Sequence, residues 1–228
     1  MEGPGYSHHA TMSYCQYNTV ANTSINTSLS PENTIDGLRF IDYVLSYIDA
    51  DLSIFPLEWA GNKILAGDWR GYIERHPTFK EVGTWLDTYK QFNIGLALGG
   101  KSKALAITFP TLEHARAWFK GLNELQQISV VSFGLVIRVM YEDKPRNVFF
   151  IFQSEAEELV PEGVIEGIDG ARILGTGEYV LLPPSQLGKL SYRLWEPWRY
   201  TVKRPWISPL PREPLGKILE TLEKKGWF

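Results

Sequence analysis

The sequence predicts an α+β domain built on a central mixed, largely antiparallel sheet flanked by helices. Three observations lead there. Stretches in the body of the chain carry apolar residues at helical spacing, and shorter apolar runs between them are strand-like. Two of those runs are joined by a short polar link that reads as a hairpin, and helices and strands of such lengths intermixed suit an α+β core.

Residues 1–33 are low in charge and rich in Ser, Thr, Asn and Tyr, without periodic apolar positions, so they are expected to form a disordered polar tail. Ser30-Pro31-Glu32-Asn33 reads as the entry to a first helix over Ile35–Ala50, with Ile35, Leu38, Ile41, Val44, Leu45 and Ile48 on its buried face. A second helix is predicted over Thr78–Lys90, burying Val82, Trp85, Leu86 and Tyr89. A third runs from Thr111 to about Gln126 with Leu112, Ala115, Phe119, Leu122 and Leu125 in register. Strands are predicted at Ile94–Leu98, Lys103–Phe109, Ser129–Met140, Asn147–Phe152 and Glu178–Leu182. Tyr141 to Arg146 connects the third of these to the fourth.

The segment Gly95 to Ser102 satisfies the phosphate-binding template Gly-x4-Gly-Lys-Ser. That template works only when a helix starts at the Lys-Ser. Here a strand-like run follows Ser102, and Gly95 to Leu98 is itself strand-like, so Gly99-Gly100-Lys101-Ser102 reads as a hairpin turn.

Composition changes near the C-terminus. Lys189 to Phe228 holds nine Lys/Arg and four Asp/Glu, a net +5; the whole chain is −3, leaving −8 for residues 1–188. Trp195, Trp198, Tyr200, Trp206 and Trp227 lie within this basic segment, and cations interleaved with aromatics suit single-stranded nucleic acid. Pro197, Pro205, Pro209, Pro211 and Pro214 equally suit an extended arm packing its tryptophans on the domain. Residues 196–228 are therefore expected to form an arm that ends in an amphipathic helix carrying Leu215, Ile218, Leu219 and Leu222.

The 228 residues are 44% hydrophobic, enough to bury a substantial core. No apolar run approaches the ~20 residues of a membrane helix, and the first thirty residues lack the cations of a secretory leader. A cytoplasmic location is the expectation. Cys15 is the single cysteine, and His8, His9, His76 and His114 have no ligand spacing with it, so neither a disulfide framework, a metal nor a cofactor is expected.

Ile54-Phe55-Pro56-Leu57, Gly61-Asn62-Lys63, Trp69, Trp85, Asn93-Ile94-Gly95-Leu96 and Pro183-Pro184-Ser185 through Tyr192 and Trp195 occur in a shared order and spacing. Over residues 34–195 this order resembles the primase-polymerase (prim-pol) domain of archaeal and plasmid replication proteins. The resemblance implies an RRM-like catalytic core. It also implies carboxylates and a histidine at positions where this chain has other residues. The family's metal-binding strand, ending Leu-Asp-Ile-Asp, matches Leu105 to Pro110, so Thr108 and Pro110 stand for two carboxylates. Its Ser-Gly-Gly-x-His motif matches Asp143 to Phe152, with Phe149 (or Val148 in a shifted register) for the histidine. The aspartate of its Asp-Ile-Arg-Gly run matches Arg172. Two-metal nucleotidyl transfer needs converging carboxylates, which Thr, Pro and Arg do not supply.

What the resemblance then implies is a catalytically inactive member. It would act in DNA replication or priming as an accessory subunit, most similar in role to primase X, on a primer-template and beside a catalytic primase, polymerase or other replication protein. Lys144, Arg146, Arg172, Lys189, Arg193, Trp198, Arg199, Lys203 and Arg204 are its candidate nucleic-acid or nucleotide contacts. Arg172 could instead pair with Asp169 or Glu178, and Phe109, Phe149 and Phe150 are the rings that would fill the old groove. Two alternatives stand beside this reading: an active enzyme whose metal site is rebuilt on Glu142, Asp143, Asp169 or Glu178, and a DNA-binding initiator or regulator of a plasmid or virus.

Overall fold

The computed structural model describes residues 34–35, 38–154, 163–164, 171–194 and 209–210; the predicted tail and most of the predicted arm lie outside them. In chain order, β1 (Thr34–Ile35) and β2 (Leu38–Arg39) pair ahead of helix α1 (Phe40–Asp49). Strand β3 (Ile54–Leu57) is followed by the short helix α2 (Gly71–Glu74) and by α3 (Phe79–Tyr89). Strands β4 (Asn93–Ala97) and β5 (Ala104–Phe109) flank a 3-10 turn at Gly100–Ser102. Helices α4 (Leu112–Gly121) and α5 (Glu124–Phe133) precede the hairpin of β6 (Leu135–Tyr141) and β7 (Lys144–Ser154). The remaining strands are β8 (Gly163–Val164), β9 (Arg172–Leu174), β10 (Tyr179–Leu182), β11 (Gln186–Leu187), β12 (Leu190–Leu194) and β13 (Pro209–Leu210).

The α+β class holds, but the single predicted sheet is two sheets. The larger has the order β11-β12-β6-β7-β5-β9-β8, antiparallel throughout, with β13 added parallel to the end of β7. The smaller is β10-β4-β3, also antiparallel. The predicted hairpin turn at Gly99–Ser102 is no hairpin: the chain crosses there from the smaller sheet to the larger, and β4 and β5 share only the single bridge Gly99–Ala104 because each finds its ladder partners in a different sheet. Both glycines there are obligatory on geometric grounds. At φ 73 and φ 45, Cβ atoms on Gly99 and Gly100 would lie 2.2 Å from Thr176 Oγ1 and 2.0 Å from the Ile73 carbonyl oxygen. A strand follows Ser102, whose hydroxyl accepts from the Ser53 N–H at 2.8 Å, so the phosphate-loop template serves chain crossing here.

Alternation along the strands divides the interior in two. Ala104, Ala106, Leu135, Ile137, Ile151 and Leu174 face the small sheet and α1–α3, where Phe55 stacks on Trp69 with centroids 5.4 Å apart. Leu105, Ile107, Phe109, Val136, Val148, Phe150 and Ile173 face α4 and α5. The second core centres on Trp118, fully buried and 4.6 Å from Phe150, ring to ring.

Helix boundaries follow from caps as much as from apolar spacing. Helix α1 begins at Phe40, not Ile35, because β1 and β2 take up the preceding residues. Its buried side chains are then Phe40, Tyr43, Val44 and Tyr47, while Leu45 is exposed. The predicted third helix is two. Asn123 Oδ1 accepts from Gln126 N at 2.9 Å and Gln126 Oε1 from Asn123 N at 3.0 Å, a capping box that starts α5. Trp118 is the fully buried ring of α4, with Phe119 partly buried against the same core, and Leu125 is exposed. Ser129 to Phe133, predicted as strand, continues that helix: the capped start and the burial of Val130 outweigh a local β-branched composition. Glu142 and Asp143, at φ 47 and φ 64, make a two-residue turn tighter than the predicted link.

The family-like motifs turn out to bind one another. The fully buried Asn93 donates to the carbonyls of Gly61 (2.8 Å) and Gln186, and its Oδ1 accepts from Gln186 N at 2.8 Å. Ser185 Oγ accepts from Ile94 N at 2.8 Å, and Tyr47 OH donates to the Pro183 carbonyl at 2.8 Å. Gly95 leaves room for Phe55, which a Cβ would meet at 2.5 Å.

Two measurements test these contacts. Asn93→Ala strands three backbone groups on two segments, the Gly61 carbonyl and the Gln186 carbonyl and N–H, and we expect urea unfolding to show a loss of about 2–4 kcal/mol. Glu81 accepts from Arg75 (2.7 and 2.9 Å), Thr78 (2.8 Å) and Tyr72 (3.1 Å). These bonds, chiefly that to Arg75, lower its pKa from 4.5 to about 2. The unfolded chain binds that proton more readily, so the stabilisation is present above the unfolded value and is lost as pH falls toward the folded one. Melting followed from neutral pH to about pH 2 should fall less steeply for Glu81→Gln than for the parent.

Candidate functional site

Three of the four motif-matched positions meet in one row across the large sheet. Thr108 of β5 lies opposite Phe149 of β7 on one side and Arg172 of β9 on the other, and the row continues through Ile137 and Leu194. Alternation turns the row toward the small sheet's side. Thr108 is 7% exposed; Phe149 is half-buried against Tyr192, with ring centroids 6.5 Å apart, and burial raises the Tyr192 phenol pKa. Pro110 sits just past the end of β5. Phe109 and Phe150 project to the opposite face, packed on Trp118, so of the three rings expected to fill a groove only Phe149 faces the row.

Arg172 is exposed on β9, with Val164 of β8 opposite it beyond the row's three matched positions. Its Nη2 donates to Glu178 Oε1 at 3.0 Å, the pairing left open by the sequence. Asp169 lies outside the described residues. The side chains present do not fit a divalent cation. A hydroxyl, a phenyl ring and a guanidinium offer no converging carboxylates, and Glu178 is held by the cation beside it. Among the described residues no three His, Cys, Asp or Glu side chains come together as metal ligands.

The other cations gather elsewhere. Lys144 and Arg146 lie on β7, three or more residues before Phe149, which is about 10 Å along the strand and two strands, roughly another 10 Å, from Arg172. The structure thus separates Arg172 from Lys144 and Arg146, which sequence reasoning had grouped around one groove. Lys144 is exposed opposite Tyr141, and the Arg146 guanidinium lies 4.9 Å over the Tyr141 ring. Lys189, at the β11–β12 turn, lies 5.8 Å from the same ring and pairs with Glu142; Arg193 Nη2 pairs with Asp143 Oδ1 at 3.3 Å. Two hairpins therefore meet at the end of the sheet in a cluster dominated by cations. Trp198, Arg199, Lys203 and Arg204 lie outside the described residues.

Tyr141 belongs to this cluster, and Arg138 pairs across the sheet with its Arg193 from the other face of β6; neither was among the sequence candidates. The signal for Arg138 was present: it is the lone charge in the apolar run Leu135 to Tyr141.

Residues 44–213 match the Prim-Pol family profile, described as the N-terminal domain of bifunctional DNA primase/polymerase; the match spans the row and both hairpins. No curated protein matches the chain.

If the row retains the geometry of a cation site and lacks only its ligands, restoring carboxylates should restore binding. Carboxylates at two directly opposed positions would have Cβ atoms about 5 Å apart. We expect Thr108→Asp/Arg172→Asp to be destabilised by the like charges and to regain a few degrees of Tm with manganese. The parent should show no such shift in the same melting experiment.

Proposed function

The chain belongs to the Prim-Pol family, bifunctional DNA primase/polymerase N-terminal domains, and on that premise we propose that it serves DNA replication or priming as a catalytically silent accessory subunit that binds nucleic acid beside a replication enzyme. The row of Thr108, Phe149 and Arg172 carries this reading. The three positions matched to catalytic residues from separate stretches of sequence are neighbours in space, which supports the residue-by-residue matching. Each holds a group unable to ligate magnesium together with its neighbours.

The motifs that match the family best support the same reading from the other side. Asn93, Gly95 and Ser185 hold the fold together. A chain that keeps these and changes the row keeps the scaffold without the transfer chemistry. The two hairpins supply Lys144, Arg146, Lys189 and Arg193 at one end of the large sheet, a surface suited to phosphates. Surface pairs such as Lys189–Glu142 are worth little in water, so phosphates can replace the carboxylates at small cost.

The test is anisotropy titration of the full chain with a labelled primer-template and a labelled single strand, with primer extension run in parallel. We expect binding that weakens as salt rises and no extension with magnesium or manganese. Extension above background would overturn the silent reading; absence of binding would overturn the nucleic-acid role.

A further inference from the structure

Arg138 and Arg193 face each other directly across β6 and β12. Like charges in directly opposed positions, about 5 Å apart at Cβ, destabilise a sheet unless an anion lies between or beside them. The described residues supply one: Asp143 reaches Arg193 Nη2 at 3.3 Å from the β6–β7 turn. Among the described residues Arg138 receives no such partner. It is half-buried, and its Nε is buried without a hydrogen bond, a costly state for a guanidinium nitrogen. The pair lies on the sheet face opposite Arg172, one residue off the motif-matched row, whereas Tyr141, which carries Arg146 and Lys189, alternates to the row's own face.

We propose that Arg138 and Arg193 form a two-guanidinium clamp for a phosphate of bound nucleic acid, and that Asp143 occupies Arg193 until that phosphate arrives. The inference rests on the nucleic-acid-binding part of the proposed function and assigns it a site. A phosphate brings several acceptor oxygens, so it can engage a planar guanidinium on each side at once, which the single Asp143 carboxylate does not do here. Asp143 lowers affinity by competing for one arm. The clamp therefore works as a contact tuned by the turn that adjoins it.

The test uses the full chain, a fluorescein-labelled oligothymidylate as probe, and a nucleoside triphosphate as unlabelled competitor. Arg138→Gln and Arg193→Gln should each weaken binding about tenfold at low salt and reduce the slope of log affinity against log salt by about one. Asp143→Asn should tighten binding several-fold, and Lys101→Ala, a cation in the turn between the two sheets, should leave it unchanged. Triphosphate competition that disappears in Arg138→Gln would support the clamp with a nucleotide as its phosphate source. Unchanged affinity and slope in both arginine variants would overturn the clamp while leaving nucleic-acid binding intact. A parent chain that binds neither probe nor triphosphate would overturn both readings. If Arg138→Gln does not fold, Asp143→Asn decides: affinity equal to the parent's overturns the proposal.

Discussion

A buried carboxamide holds this fold in register. Asn93 has no access to water, and its donors and acceptor are met by the backbone of two distant segments, the turn at Gly61 and the strand entry at Gln186. Ser185 bonds the adjacent residue of the same strand, and Tyr47 bonds the carbonyl of Pro183. The small sheet, α1 and the entry to the β11–β12 hairpin are thereby tied through one strand. A buried network of this kind stabilises only when complete, since an unmet group in a low-dielectric interior costs more than the bond was worth. Everything that depends on the position of β11 and β12, including the hairpin cations, depends on that network.

Scaffold and chemistry separate cleanly along these lines. The residues matched to the family's apolar and turn motifs make buried contacts: Phe55 among Trp69, Tyr72 and Tyr179, Gly95 beneath Phe55, and Asn93 and Ser185 in the network. Among the described residues the side chains of the row Thr108, Phe149 and Arg172 make no polar bond other than the Arg172–Glu178 pair near the surface. Such positions can change without unfolding the domain, because a surface ion pair contributes at most about 1 kcal/mol. That is the physical condition under which a fold can persist while its transfer site is altered.

The basic surface has a different logic. Lys189–Glu142 and Arg193–Asp143 bring two hairpins together with pairs that are exposed and easily screened, while Arg138 beside them has its Nε buried and unmatched. Weak internal pairing and one unmet donor leave the surface ready for an external anion. The opposed arginines sit behind the apolar row, at the β6–β12 edge of the face that elsewhere packs on α4 and α5.

Much of this was legible in the sequence. Apolar spacing located α3, β4, β5 and β7, because burial of one face imposes a period that survives without knowledge of the partner. Motif order pointed to the family, and Arg172 was read as a cation with Glu178 as one of its possible partners. The break at Leu122–Asn123 was also written in the chain, as the Asn-x-x-Gln of a capping box, although the β-branched run after it favoured a strand. The tertiary structure alone decided that Gly99-Gly100 carries the chain between two sheets, and that Thr108, Phe149 and Arg172 form one row while Lys144 and Arg146 stand apart. It alone set Arg138 opposite Arg193. Local sequence encodes which face of an element is apolar. Which strands become neighbours, and hence which distant side chains share a surface, is settled by pairing across long loops, and no window of sequence contains it.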